Sequence, residues 1–301
     1  MNKRRLVSFD WALKRLLRSK ANYEVLEGFL SELLKEDIEI LEILESESNR
    51  DSAHDKSNRV DMKVRNRKQE IILIEIQYER EFDYLQRILF ATAKAITEHI
   101  AEAEPYANIV KVISINILYF DLGHGEDYVY HGKTQFRGIH YHDELRLNNK
   151  QQELFGKQYP HELYPEYYLL KVDQFDDVAR DSLDEWIYFL KHGEIAEGFQ
   201  AKGLARAKEI LDIMHLGEEE RRSYEWHREE LRYQASMYHS SFFDGRLEGK
   251  QEGLEKGREE GREEGMEKEK KATAKIMKQA GEPMEKIMKY TQLTPEEVET
   301  L

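Results

Sequence analysis

Residues 59–77 read RVDMKVRNRKQEIILIEIQ, two apolar alternations separated by a basic, polar turn. In the first, Val60, Met62 and Val64 share one face, with Asp61 and Lys63 on the other. In the second, Ile72, Ile74 and Ile76 share a face, and Leu73, Glu75 and Gln77 share the opposite one. A hairpin turning near Arg67 and Lys68, with Val64 paired to Ile72, sets Asp61 directly across from Glu75. Opposed residues lie on the same face with Cβ atoms ~5 Å apart, and a two-residue slip keeps both acids on that face. Carboxylates at that separation repel by roughly 3 kcal/mol at an effective dielectric near 20. A shared proton, a neighbouring cation such as Lys63, or a divalent metal would offset this. Pairing of Asp61 with Lys63 or Arg65 on a wet edge fits the same spacing.

Outward from this hairpin, the pattern predicts helices before it and a helix and strand after it. Ser8-Phe9-Asp10 opens one helical pattern, and Val25, Leu26, Phe29, Leu30 and Leu33 carry a second at period 3.6. Ile38 to Leu44 suggests a weaker strand, and 45–58 is polar and loop-like. After the hairpin comes a helix over about 82–101. The β-branched run NIVKVISINILYF (108–120) reads as a central strand. A helix between the third and fourth strands is the βαβ connection of a mixed sheet. Gly123, Gly125 and Gly132 mark a further hairpin around DYVYHG, YYLLKV reads as a last strand, and a helix follows to near Phe189.

The totals narrow the class. The 301 residues carry 46 Lys and Arg against 60 Asp and Glu, a formal charge of −14. Net charge therefore repels nucleic acid, and any contact needs a local basic patch. The segment 1–20 supplies one, including Lys14, Arg15, Arg18 and Lys20 against the single acid Asp10. Cysteine is absent, which excludes a disulfide framework and a Cys-based zinc site and suits a reducing cytosol. No apolar run approaches the ~20 residues of a membrane span, and the start lacks a signal-peptide core.

From about 200 onward the chain reads as helix. Gly245, Gly249, Gly253, Gly257, Gly261 and Gly265 recur every fourth residue among Glu, Lys and Arg. Each costs a helix ~1 kcal/mol relative to Ala. The repeat reads either as a glycine ribbon for close backbone approach or as a solvated charged linker. Thr294-Pro295 has the N-cap and N1 pattern of a final short helix.

Asp61 followed by Glu75-Ile76-Gln77 resembles the D…(D/E)-x-K signature of the PD-(D/E)XK nuclease superfamily, with Gln77 in the lysine place. Within it, FDWALKRLL, RVDMKV, IEIQ, Gln86-Arg87, ISINILYF and the glycine repeat resemble the recombination-promoting nuclease family of bacteria, over roughly 8–190 plus the tail. The resemblance implies a restriction-endonuclease-like α/β fold, a mixed central sheet flanked by helices and followed by a mostly helical C-terminal region. It implies Asp61 and Glu75 as Mg²⁺ ligands (Mn²⁺ substituting), joined by the backbone carbonyl of Ile76, with Gln77 as a catalytic residue that supplies no charge. Lys14, Arg15, Arg18, Lys20 and Arg87 are the candidate DNA contacts, although Arg87 also fits a solvated helix face. Asp10 reads as an N-cap before a metal ligand, and His131, His140 and His142 as surface residues.

The expected organisation is a nuclease-like domain over 1–195, a helical extension over 196–240, the glycine repeat over 241–270 and short helices over 271–301. The expected activity is Mg²⁺-dependent DNA endonuclease action in recombination or mobile-element biology, in the cytoplasm. The expected assembly is a homodimer through the C-terminal helices, with no membrane contact. The alternative is a nuclease fold retained as an interaction scaffold or DNA-binding module.

Overall fold

In the computed structural model, residues 6–15, 17–44, 60–100, 103–213 and 216–301 are described, except for the side chains of Lys14 and Ala235. The polar stretch 45–58 and the basic residues before Leu6 lie outside them. The chain divides into two units, Met1–Arg228 and Glu229–Leu301.

Among the described residues the first unit holds six strands in the order β1-β2-β3-β4-β6-β5. They are β1 (Ile40–Leu44), β2 (Met62–Asn66), β3 (Ile71–Gln77), β4 (Val112–Leu118), β5 (Val129–Lys133) and β6 (Glu166–Lys171). β1, β2 and β3 pair antiparallel, β3, β4 and β6 pair parallel, and β5 closes the sheet antiparallel to β6. The mixed sheet predicted from the order of elements is therefore present. β5 does not form a tight hairpin. Its partner β6 arrives only after a long excursion containing helix α4 (Asn149–Phe155), so Gly123 and Gly125 serve the loop before β5, and Gly132 lies within β5 itself, opposite Tyr167.

Helix α3 (Tyr84–Glu98) crosses from β3 to β4 and covers one sheet face. Its inward residues Tyr84, Ile88 and Ala95 meet Ile71, Leu73, Val112, Leu118 and Phe120. The opposite face meets α1 (Phe9–Arg15), α2 (Tyr23–Leu34), α5 (Ser182–His192) and α6 (Leu204–Ile210). There Met62, Val64, Ile72, Ile74, Ile76, Ile113, Ile115 and Ile117 join Phe9, Phe29, Trp186 and Phe189 in one core. The four aromatic rings pack edge-on or tilted, with centroids 5.6–6.2 Å apart. Because both faces are covered, β3 and β4 must be apolar on both sides, which is why IILIEI and VISINIL read as almost continuous apolar runs.

One glycine is fixed by this packing. A Cβ on Gly28 of α2 would lie 2.2 Å from the Lys202 carbonyl oxygen and 2.7 Å from the Cα of Gly203, which precedes α6 with φ 84°. No side chain fits between those backbones.

Helix α7 (Glu218–Gln279) contains the whole glycine repeat. In the second unit, Ala274 of α7 packs with Ile287 of α8 (Met284–Thr291), Leu293, and Val298 of α9 (Pro295–Glu299). Thr294 caps α9 by accepting the N–H of Glu297 at 3.3 Å.

Candidate active site

The observed β2–β3 ladder pairs Met62 with Ile74 and Val64 with Ile72, the register expected from alternation. Asp61 stands one residue before β2, at the continuation of that ladder opposite Glu75. Its Oδ2 accepts the backbone N–H of Ile76 at 2.8 Å, so the side chain reaches across to β3 just where the regular pairing ends. On the other side of β3, Glu75 is paired in register with Asn116 of β4. A polar row, Asp61, Glu75 and Asn116, thus runs from the residue before β2 across β3 to β4.

The row lies beneath α3. Tyr84, fully buried, donates its hydroxyl to Asn116 Oδ1 at 3.2 Å, while Asn116 donates to Ser114 Oγ and the Tyr168 carbonyl. Arg87, one turn further along α3, brings Nη2 to 2.5 Å from Glu75 Oε1 and Nη1 to 2.6 Å from Glu81 Oε1. Glu81 also accepts from Gln77 Nε2 at 3.0 Å. Arg87 is therefore held by carboxylates, not by solvent.

Glu75 is only 4% exposed, and no well-directed hydrogen bond reaches its Oε1 despite the close guanidinium. Burial raises its pKa to about 7; Arg87 works against that rise, and the neighbouring Asp61 and Glu81 charges reinforce it. Burial together with Glu75 likewise raises the Tyr84 hydroxyl. The cations named as simple partners for Asp61 have acids of their own: Lys63 Nζ meets Glu98 at 2.8 Å, and Arg65 meets Glu42 at 2.7 Å.

A family model for the PD-(D/E)XK nuclease family transposases matches residues 7–241. The chain belongs to this family. No curated protein and no solved structure matches it.

PD-(D/E)XK nucleases generally use divalent metals, and the donors here suit a hard cation. Two carboxylates converge at the ladder end, and the Ile76 carbonyl faces the same side. The Gln77 carbonyl accepts from Tyr119 on the β4 side, and successive carbonyls of a strand alternate. Among the described residues, no cluster of three or more Asp, Glu, His or Cys side chains stands ready for a metal. The set therefore fits an ion that keeps water and phosphate oxygens as further ligands, as Mg²⁺ does, and not a closed all-protein cage.

The remaining sequence candidates are distributed as follows. Arg18 donates Nη2 to the Asp61 carbonyl at 3.2 Å, bringing this arginine of the basic block beside Asp61. Arg15 and Lys20 are exposed, and the Lys14 side chain lies outside the described residues. Asp10 is not an N-cap. It sits inside the first turn of α1, and its carboxylate accepts the Tyr78 hydroxyl at 3.1 Å and contacts His227 Nε2 at 2.7 Å. Tyr78 follows Gln77 on the alternate side of the chain and stacks on Tyr119 at 4.4 Å, against the α1–α5 core. Asp10 thus works on the sheet face opposite Glu75. His131 pairs with Glu166 at 2.9 Å, and His140 and His142 are exposed.

Four participants escaped the sequence reading: Glu81, Tyr84, Asn116 and His227. Asn116 offered a signal, being an amide in the middle of the apolar strand VISINIL. Glu81 lies four residues after Gln77 in a charged loop and offered none.

Proposed function

We propose that this chain is a divalent-metal-dependent DNA endonuclease, with Mg²⁺ as the working ion, acting in recombination or mobile-element movement in the cytoplasm. The observation that carries the reading is the opposition of Asp61 and Glu75 across β2–β3, with Ile76 offering its backbone between them. A bound divalent cation would neutralise charge on the scissile phosphate and make an attacking water more acidic. The chain's own residues do the positioning. The Ile76 N–H orients Asp61, burial presents Glu75 with little competing hydration, and Gln77 directs its amide without adding charge. Arg18, beside the Asp61 carbonyl, and Arg87, beside Glu75, are the proposed phosphate contacts at the site, together with Lys14 and the exposed Arg15 and Lys20 of the N-terminal segment.

A second reading has one observation in its favour. Arg87 already compensates Glu75, as in a nuclease fold kept as a scaffold or DNA-binding module. Plasmid cleavage with and without Mg²⁺, for wild type and Glu75→Ala, separates the two. Metal-dependent cutting lost in Glu75→Ala supports the enzyme, and equal inactivity of both supports the scaffold. Self-association is the accompanying proposal, supported by the exposed Tyr233, Met237, Leu247 and Leu254 along one side of α7.

A further inference from the structure

Arg87 stands between two unlike anchors. The inner one, Glu75, is buried and receives no aligned N–H from it. The outer one, Glu81, is one-third exposed and accepts a directed hydrogen bond from Arg87 Nη1 at 2.6 Å. The same Glu81 oxygen takes the Gln77 amide. A divalent cation and the guanidinium would compete for Glu75 Oε1, because like charges a few ångströms apart repel strongly in a half-dry site.

Resting on the reading of Asp61 and Glu75 as metal ligands, we infer that Glu81 is a positioning residue, the anchor onto which Arg87 withdraws when Glu75 turns to a divalent cation. Glu81 neutralises the displaced guanidinium, keeps it beside the site for a phosphate, and steadies Gln77. Arg87 serves as a tethered counter-cation in the metal-free site, and Glu81 sets how readily it yields.

The test is Mn²⁺ affinity of the full chain, measured by calorimetry or by the electron paramagnetic resonance of free Mn²⁺, so that cleavage is not the readout. Arg87→Met should tighten binding about tenfold and Glu81→Gln should weaken it about tenfold, within the usual coupling of contacting residues. In the Arg87→Met background, Glu81→Gln should have no effect. An equal weakening in both backgrounds would mean that Glu81 acts on the cation directly, overturning the inference. Weaker binding in Arg87→Met would overturn it as well. Should that variant fail to fold, Arg87→Lys, which keeps charge but loses the two-armed bridge, must still bind Mn²⁺ more tightly than wild type; equal or weaker affinity counts against the inference. If wild type binds no Mn²⁺ at all, the metal-site reading fails, and this inference with it.

Discussion

Asp61 Oδ2 accepts the Ile76 N–H at 2.8 Å, so an acid on one strand is locked to the backbone of the next at the point where their ladder ends. The bond fixes the orientation of the carboxylate at the end of the ladder. Asp61→Ala should abolish any Mn²⁺-induced rise in melting temperature while leaving the metal-free melting temperature within a few degrees. A Mn²⁺ complex of the wild type should place the ion within ~2.5 Å of both Asp61 and Glu75 oxygens. An ion bound elsewhere would remove the basis for the nuclease assignment.

The metal-free protein should lose stability as pH rises from about 4.5 to about 7. Glu75 is raised to about 7 in the fold from 4.5, so the folded state keeps its proton after the unfolded chain has lost it. The penalty is complete above pH 7, at about 3 kcal/mol by the usual 1.36 kcal/mol per unit. Glu75→Gln should flatten that stretch of the pH–stability curve and melt higher than wild type at pH 8. Parallel curves for the two proteins would contradict this.

DNA affinity should fall steeply with salt, and the N-terminal cations should account for part of the slope. Each phosphate contact contributes roughly 0.9 to the slope of log K against log salt. Replacing Lys14, Arg15, Arg18 and Lys20 together by Gln should reduce the slope by up to about 3.6 units. An unchanged slope in a filter-binding titration would move the footprint to other cations, such as Arg67 and Lys68.

Removing residues 241–301 should lower the oligomeric state and leave Mn²⁺ binding intact. The proposed ligands Asp61 and Glu75 sit in the first unit, and the exposed apolar positions Leu247 and Leu254 go with the tail. Sedimentation that finds full-length and truncated chains equally monomeric would end the self-association proposal.

The β2–β3 pairing was legible because acids and apolar residues alternate on both segments, Asp61 between Val60 and Met62, and Glu75 between Ile74 and Ile76. Val64 against Ile72 was sufficient to bring Asp61 to Glu75. The crossover helix was equally legible from Ile88 and its neighbours. What alternation could not give was the partner of each polar group. Arg87 looks on the sequence like any helix-surface arginine, and only the fold reveals Glu75 beneath it and Glu81 beside it. Asp10 failed for the same reason. Its tie to His227 spans more than two hundred residues of chain, and no local rule reaches that far.

Gly28 and the six glycines of the α7 repeat carry opposite prospects under random substitution. At Gly28 a single methyl group would collide with the backbone of Lys202 and Gly203, so even alanine should drive α2 and the entry to α6 apart and leave little folded protein. Along 245–265 a methyl group at any of the six positions meets nothing within 4 Å. Alanine there should strengthen the helix by ~1 kcal/mol at each exchange. A library scanning every glycine to alanine would therefore split cleanly, with the core position lost from the surviving pool and the tail positions enriched in the most heat-resistant clones. The repeat makes α7 a helix whose firmness can be raised step by step without disturbing a single contact.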